Sequence, residues 1–250
     1  MTPNPLVTTA HERGVTTLAL NSPANRNALS APLVGELTRA LAECGADDAV
    51  RAVVLTHTGG VFSAGADLRT PPNPYVFVGL LRQIVAMPKP VVARIDGRTR
   101  AGGLGLVGAC DIAVASADSD FAFTEVRIGV APAMISLPLL PRLAPRAAER
   151  YCLTGERFGA ADAVRIGLLT ECGGPGDHVD TVLTPVLDAL RAGSPQGLAA
   201  TKRLVTARVL EAFDRDAEEL VQRSASLFAS AEAREGMAAF LERRDPAWRL

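Results

Sequence analysis

The sequence predicts an α/β protein in which a strand-rich first half is followed by a helical second half. Before about residue 135, short runs rich in Val, Ile and Thr alternate with glycine-containing turns, a pattern typical of strands. After it, apolar residues recur at helical spacing between Gly, Pro and Ser breaks. No linker-like stretch or change in composition divides the 250 residues, which favours one continuous structural unit.

The first elements are predicted to be a strand, a helix and a second strand. Residues 15–21 (VTTLALN) are β-branched and end in a turn-prone Asn-Ser-Pro sequence. Ser30 can cap a helix with apolar residues three to four positions apart, and Gly45 is its predicted end. Residues 52–57 (AVVLTH) form the second strand.

A first glycine-rich junction follows at residues 59–69 (GGVFSAGADLR). It indicates a strand end, a turn that exposes backbone N–H groups, and a helix start with Asp67 in its first turn. Residues 70–75 (TPPNPY) contain three prolines, which lack backbone donors and restrict their neighbours. We therefore expect a mobile loop over a site.

A second junction lies at residues 98–105 (RTRAGGLG), which follow a buried strand at residues 90–95 and open a helix of small residues. The sequence GLGLVG matches a dinucleotide-binding spacing, but it lies inside this helix and lacks an acidic partner, which excludes that function. Short strands are predicted at residues 111–115 and 121–123. The predicted helices of the second half are residues 145–153, 160–166, 179–192, 195–209, 210–228 and 231–243.

Composition excludes several functions. Lys plus Arg (26) balances Asp plus Glu (27), so nothing favours nucleic acid or an anionic membrane as a partner. No stretch approaches about twenty uninterrupted apolar residues and the start lacks a signal-peptide pattern, so we expect a cytoplasmic protein. The four cysteines and three histidines are scattered, which argues against a metal site and a nucleophile triad.

Glu125 is the most informative carboxylate, because apolar residues lie on both sides of it in sequence. A buried glutamate is costly unless it is paired or functional. The alternative to a functional role is an ion pair with Arg127 or another arginine. Asp111, which precedes a strand, is interpreted as structural, accepting from nearby backbone amides.

Five segments of the sequence are informative when taken together: NSPANRNALS (21–30), FSAGADL (62–68), RAGG (100–103), CDI (110–112) and FTEVRIG (123–129). In order, spacing and residue type they resemble the enoyl-CoA hydratase/isomerase (crotonase) superfamily over roughly residues 5–250. Two further segments, GLV (105–107) and PAMIS (132–136), are similar to the branch of methylglutaconyl-CoA hydratases and actinobacterial-type enoyl-CoA hydratases.

This resemblance implies a crotonase-like spiral of ββα units over residues 1–193 and a C-terminal helical trimerisation region over residues 194–250. It implies a homotrimer or homohexamer and an acyl-CoA substrate, with no separate cofactor. The amides of Ala66 and Gly102 would form an oxyanion hole, each at a helix start. The coenzyme A site would be lined by Arg26, Ala28, Ala64, Ala66, Asp67, Leu68 and Gly102.

The sequence differs from the family pattern at one expected catalytic position. Family hydratases use two glutamates, whose positions fall here at Gly105 and Glu125, so only the second is present. The leading hypothesis is hydration of a 2-enoyl-CoA to a 3-hydroxyacyl-CoA, with Glu125 as the acid/base. Two alternatives stay open: a Δ3,Δ2-enoyl-CoA isomerase with Glu125 as the sole proton shuttle, and a noncatalytic acyl-CoA-binding homologue. Arg98 or Arg100 could meet a second substrate carboxylate, although structural roles are favoured for both.

Overall fold

The computed structural model of the protein describes residues 4–250; residues 1–3 of the predicted first region lie outside it. Its larger sheet has six strands in the order β1-β2-β3-β5-β7-β10. The β1–β2 pair is antiparallel and the other neighbours are parallel. The strands are β1 (Val7–Glu12), β2 (Val15–Leu20), β3 (Ala52–His57), β5 (Val91–Ile95), β7 (Ile112–Ala115) and β10 (Glu171–Cys172).

The smaller sheet has four strands in the order β4-β6-β8-β9. Its first three strands are parallel to one another, and β9 is antiparallel to β8. Each of the first three strands follows a strand of the larger sheet in the chain, so the backbone moves repeatedly from one sheet to the other. The strands are β4 (Val61–Ser63), β6 (Arg98–Arg100), β8 (Asp120–Ala122) and β9 (Phe158–Gly159).

Ten helices surround the sheets within residues 4–250, and the main core lies between them and the sheets. A second apolar cluster covers the opposite face of the larger sheet, where Val54, Val92 and Val114 pack with Val179 and Leu183 at the start of α7. The helices are α1 (Ala31–Ala46), α2 (Pro74–Ala86), α3 (Gly102–Ala109), α4 (Ala133–Leu139), α5 (Pro145–Thr154), α6 (Ala160–Arg165), α7 (Asp180–Ala192), α8 (Pro195–Val205), α9 (Ala207–Phe228) and α10 (Ala231–Glu242).

The structure confirms the α/β class and most predicted elements, with local corrections. The predicted helix start at Asp67 is wrong: Asp67 Oδ1 accepts hydrogen bonds from the amides of Arg69 (2.9 Å) and Thr70 (3.4 Å) in a turn. This turn imitates a helix N-cap, and the prolines that follow prevent a helix from growing. The helix α2 instead begins at Pro74, capped by the Asn73 side chain. Proline fits there because a first-turn N–H needs no intrahelical acceptor.

One strand was missed, and one boundary between helices differs from the prediction. The strand β1 was not predicted because most of its residues are exposed, so no alternation marks it in the sequence. The break between α8 and α9 falls at Thr206 rather than at residue 209. The Thr206 hydroxyl donates to the Lys202 carbonyl oxygen over 2.7 Å, which competes with the regular helical pattern.

A buried ion pair joins the C-terminal helices to the core. Lys202 Nζ on α8 lies 2.8 Å from Asp111 Oδ2, just before β7, and both side chains are largely buried. The same ammonium donates to the carbonyl oxygens of Ile84 and Lys89, and Asp111 accepts from the amide of Val91. The structural role predicted for Asp111 is confirmed. The predicted division of the chain at residue 193 stays a prediction.

Candidate active site

Three predicted site residues follow the carboxyl ends of three neighbouring parallel strands. Ala66 comes three residues after β4, Gly102 two residues after β6, and Glu125 three residues after β8. Ser63 pairs with Thr99 in the β4–β6 ladder, and Arg100 pairs with Ala122 in the β6–β8 ladder. The carboxyl edge of parallel strands is where α/β proteins commonly bind ligands, so the topology brings these segments to one side of the sheet.

The amides of Ala66 and Gly102 lie close together and donate to no acceptor within residues 4–250. At Ala66 the flanking groups are used instead: Leu29 donates to the Gly65 carbonyl oxygen and the Asp67 amide donates to the Leu29 carbonyl oxygen. Gly102 is the first residue of α3, where an N–H has no intrahelical acceptor. A Cβ added to Gly102 would lie 3.6 Å from Ala66 N. The expectation that both amides begin helices is wrong for Ala66, which lies in a loop.

Unusual backbone conformations bring the two amides together. Gly65 has φ +92°, and a Cβ there would lie 2.8 Å from Ala101 Cβ and 3.4 Å from Gly102 N. Ala101, the N-cap of α3, has φ 46° and ψ −122°, a strained conformation for a residue with a side chain. Its amide donates to the Ala122 carbonyl oxygen over 3.2 Å, which holds this turn against β8. Strain of this kind is typical of functional sites.

Glu125 is a buried carboxylate with no charged partner among residues 4–250. It is the first residue of a short 3-10 helix, residues Glu125–Ile128, and its Oε2 has no hydrogen-bond partner in the same part of the chain. Burial raises the pKa of Glu125 to about 7, and a hydrogen bond from its own backbone amide opposes that shift. The alternative of an ion pair with Arg127 is not formed, since Arg127 is exposed and contributes nothing to this pKa. A carboxyl group with this pKa can both accept and donate a proton near neutral pH.

Gly105 lies on α3 with its Cα facing the side chain of Ile135. A Cβ added to Gly105 would lie 2.6 Å from Ile135 Cγ2 and 3.1 Å from Ile135 Cβ. A branched apolar side chain thus fills the space where the family's first glutamate would begin. The sequence shows the missing glutamate, whereas the residue that replaces it in space becomes visible only in the fold.

An apolar cavity next to this region was not predicted. It has a volume of about 500 Å³ and is lined by Phe123, Ile135 and Cys152, together with apolar residues of α4 and α5. Cys152 lies close enough to Glu125 for the carboxylate charge to add to the effect of burial, and the pKa of Cys152 rises to about 11. Helical periodicity predicted α5 but not α4, and the gap between the two helices depends on tertiary packing.

The residues expected to bind coenzyme A surround the two amides. Arg26 and Asp67 lie on adjacent loops, linked by a hydrogen bond from Asn25 Nδ2 to Asp67 Oδ2 of 2.9 Å. The Ala64 amide donates to the Arg26 carbonyl oxygen over 3.0 Å. Ala28 is buried, whereas Ala64, Asp67 and Leu68 are half-buried, and Arg26 and Ala66 are exposed.

The Arg100 guanidinium is held within the smaller sheet. Its guanidinium contacts the Asp120 carboxylate and donates to the carbonyl oxygens of Thr99 (2.9 Å) and Asp120 (2.8 Å). Arg98 Nε lies 3.7 Å from the same carboxylate. Both arginines therefore stabilise the β6–β8 pair. In residues 4–250, no cluster of three metal-ligating side chains is present, and no helix is long and apolar enough to cross a membrane.

Comparison with known proteins decides the family. The family model described as enoyl-CoA hydratase/isomerase matches residues 10–250. The chain belongs to the enoyl-CoA hydratase/isomerase family. The predicted resemblance and crotonase-like fold are thereby confirmed.

Solved and curated members of the family match over nearly the whole chain. The crystal structure of an enoyl-CoA hydratase from Mycobacterium avium is 53% identical, with a TM-score of 0.91, and the match covers 99% of this chain and 100% of that one. The (E)-benzylidenesuccinyl-CoA hydratase of Thauera aromatica is 31% identical over 93% of this chain and 94% of its own. The human enoyl-CoA hydratase domain-containing protein 2, mitochondrial, is 32% identical, and the match covers 94% of this chain and 85% of that protein.

Proposed function

We propose that the protein hydrates a 2-enoyl-CoA thioester to the 3-hydroxyacyl-CoA, with Glu125 as the acid/base. The observation that carries this proposal is a buried Glu125 carboxyl at the same edge of the smaller sheet as two backbone amides; within residues 4–250, Glu125 Oε2 has no hydrogen-bond partner and neither amide has an acceptor. An acid/base and an oxyanion-stabilising pair are the two components that addition to a conjugated thioester needs. The hydratase names of related proteins support the same reaction class.

In this proposal the thioester carbonyl oxygen accepts hydrogen bonds from the amides of Ala66 and Gly102. When water adds to Cβ, electron density moves onto that oxygen and forms an enolate. Preorganised amides stabilise this charge more than the neutral carbonyl, and one such donor is worth about 3 kcal/mol. Because Gly102 is the first residue of α3, its amide would place the oxyanion at the N-terminus of that helix. The helix dipole would then stabilise the negative charge of the oxyanion.

Glu125 would perform both proton transfers. Its ionised form takes a proton from the attacking water, whose oxygen bonds to Cβ. The resulting carboxylic acid then protonates Cα of the enolate, which regenerates the carboxylate. A pKa of about 7 suits a group that must act in both forms near neutral pH.

The coenzyme A portion of the substrate would lie along the loops that contain Arg26, Ala28 and residues 64–68. Exposed backbone groups and the Arg26 guanidinium are available there to the pantetheine and the nucleotide phosphates. Assembly into a trimer or hexamer stays a prediction of the family resemblance.

A Δ3,Δ2-enoyl-CoA isomerase is a second candidate, favoured by one observation. Ile135 fills the space at Gly105, so no second carboxylate can begin there to activate water. An isomerase needs one base to remove a proton from Cα of the 3-enoyl-CoA, which forms a dienolate, and to return it at Cγ, which Glu125 alone can do.

The deciding experiment follows the absorbance of the conjugated thioester with crotonyl-CoA, 3-methylglutaconyl-CoA and a 3-enoyl-CoA. Hydration removes the chromophore of the first two, whereas isomerisation creates it from the third. Glu125→Gln should lower kcat by about 100- to 10,000-fold. Glu12→Gln changes an exposed glutamate on the edge strand β1 and is the matched control, with unchanged activity expected.

Three outcomes separate the candidates. Loss of crotonyl-CoA absorbance that depends on Glu125 supports the hydratase. Gain of absorbance from the 3-enoyl-CoA alone rejects it in favour of the isomerase. Tight binding of the thioesters without turnover by the wild type rejects both reactions and favours the noncatalytic homologue.

A further inference from the structure

The segment that carries Glu125 has little stability of its own. Residues 125–128, here called the Glu125 turn, form a single 3-10 turn that ends at Gly129 with φ +74°. An isolated 3-10 turn has few hydrogen bonds and poor geometry. Within residues 4–250 no side chain holds Glu125 Oε2 in place. The position of the carboxyl group therefore depends on what packs against the backbone of this turn.

The C-terminal helix α10 packs directly against that backbone. A Cβ added to Gly236 of α10 would lie 2.6 Å from both the Cα and the carbonyl carbon of Ile128, and 2.7 Å from its carbonyl oxygen. Real Cβ atoms do not approach backbone atoms so closely, so glycine is required at position 236 for this packing.

A second glycine makes the reciprocal contact from the other side. A Cβ added to Gly129 would lie 2.8 Å from the carbonyl carbon of Glu232 and 2.9 Å from Ala233 N. Each backbone therefore has a glycine where the other comes closest, one directly after the Glu125 turn and one in the middle of α10. The two contacts together fix both the distance and the direction of the turn relative to the helix.

The helix α10 is itself well fixed in the fold. The Ser230 hydroxyl caps its N-terminus by accepting from the Ala233 amide over 3.0 Å. Ala233 is 0% exposed, Ala239 is 1% exposed and Gly236 is buried, so these three residues form a buried stripe along α10, whereas Glu232 is exposed. Such a helix can support a short turn rigidly.

We propose that α10 is a positioning element for the acid/base, and that Gly236 and Gly129 are positioning residues for Glu125. This proposal rests on the proposed function of Glu125. Neither glycine touches substrate. Their contact holds the Glu125 turn where the carboxyl group reaches the reacting carbons beside the Ala66 and Gly102 amides.

The direct test is Gly236→Ala in the full-length protein, with Gly35→Ala as the matched control. A Cβ added to Gly35, inside α1, meets nothing within 4 Å. The added methyl at position 236 must push the Glu125 turn away, and displacement by about 1 Å can cost about 100-fold in rate. We expect kcat to fall about 10- to 100-fold with KM changed less than about twofold, because the coenzyme A loops are untouched. Gly35→Ala should leave both parameters unchanged.

A second pair of variants avoids the steric clash, so it stays informative if Gly236→Ala does not fold. Ser230→Ala removes the N-cap of α10, and Ser194→Ala removes the equivalent cap of α8, where the Ser194 hydroxyl accepts from the Gly197 amide over 3.1 Å. We expect Ser230→Ala to lower kcat a few-fold and to speed hydrogen exchange at the amides of residues 127–130. Ser194→Ala should do neither.

A folded Gly236→Ala with wild-type kcat would overturn the proposal, as would identical exchange at residues 127–130 in the two serine variants. The exchange measurement needs no substrate. The wild type could turn over none of the thioesters while Ser230→Ala still speeds hydrogen exchange at residues 127–130. In that case the proposed reaction would be wrong, and the support of the Glu125 turn by α10 would stand.

Discussion

The Ile135 side chain occupies the space into which any side chain at position 105 would project, because a Cβ on Gly105 would lie 2.6 Å from Ile135 Cγ2. Position 105 is where the resemblance places the first of two glutamates. The missing glutamate therefore leaves no empty space, because the Ile135 side chain of α4 lies where a side chain at position 105 would begin. Under the proposed function, the acid/base chemistry therefore falls to Glu125.

Gly105→Ala should destabilise the protein by about 1–3 kcal/mol, because the added methyl overlaps the Ile135 side chain in a packed core. Gly35→Ala should be neutral or stabilising by up to about 1 kcal/mol, because alanine favours a helix and nothing crowds that site. Urea unfolding measures both. The double variant Gly105→Ala/Ile135→Ala should show less than the summed loss, and strict additivity would argue against this contact.

Glu125→Gln should be more stable than the wild type at pH 8 and similar to it near pH 4.5. The folded pKa of about 7 lies above the ordinary value of 4.5, so protonation of Glu125 favours the folded state. That benefit is complete below the unfolded pKa and is lost as pH rises through about 7. The difference corresponds to about 3 kcal/mol at pH 8. Urea titrations at both pH values test this, and a pH-independent difference between the proteins would contradict it.

The same pKa should appear in the kinetics. As pH falls through about 7, Glu125 becomes protonated and loses its ability to accept the proton of water, so kcat/KM for hydration should decrease. Residual turnover by Glu125→Gln should lack this ionisation. An ionisation near the ordinary glutamate value of 4.5 would show that water reaches the carboxyl group in the free enzyme.

Gly65→Ala should lower kcat by about 100- to 1,000-fold, comparable to losing one oxyanion donor. The added Cβ would lie 2.8 Å from Ala101 Cβ, and φ +92° is unfavourable for alanine, so the Ala66 and Gly102 amides would separate. Gly60→Ala, at an open position before β4, is the control and should keep its activity. Steady-state kinetics with crotonyl-CoA distinguishes the two.

Replacing one member of the Asp111–Lys202 ion pair should lower the free energy of unfolding more than replacing both members together. Asp111→Asn or Lys202→Met leaves one buried charge without its partner, and each should destabilise by about 3–5 kcal/mol. The double variant should lose much less than the sum. Thermal or urea unfolding of all four proteins completes the cycle, and fully additive losses would show that the two charges do not interact.

Local sequence determined much of the fold because each signal acts over a few residues. Ser30 caps α1 by accepting from the Leu33 amide, as its position before an apolar helical pattern predicts. Local signals failed where distant residues decide. Asp67 has the chemistry of a helix N-cap, yet it forms a turn because prolines follow it. The exposed strand β1 is defined only by its pairing with β2.

The sequence by itself determined the family, the α/β class, and Glu125 as the one glutamate present at the two positions where the family has a pair, since these depend on residue type and order. Only the tertiary structure decided that Ile135 fills the space at Gly105, that the Ala66 amide points from a loop, and that Gly236 supports the Glu125 turn. Those relationships join residues up to about a hundred positions apart. Their distances are set by how strands and helices pack, which no local pattern encodes.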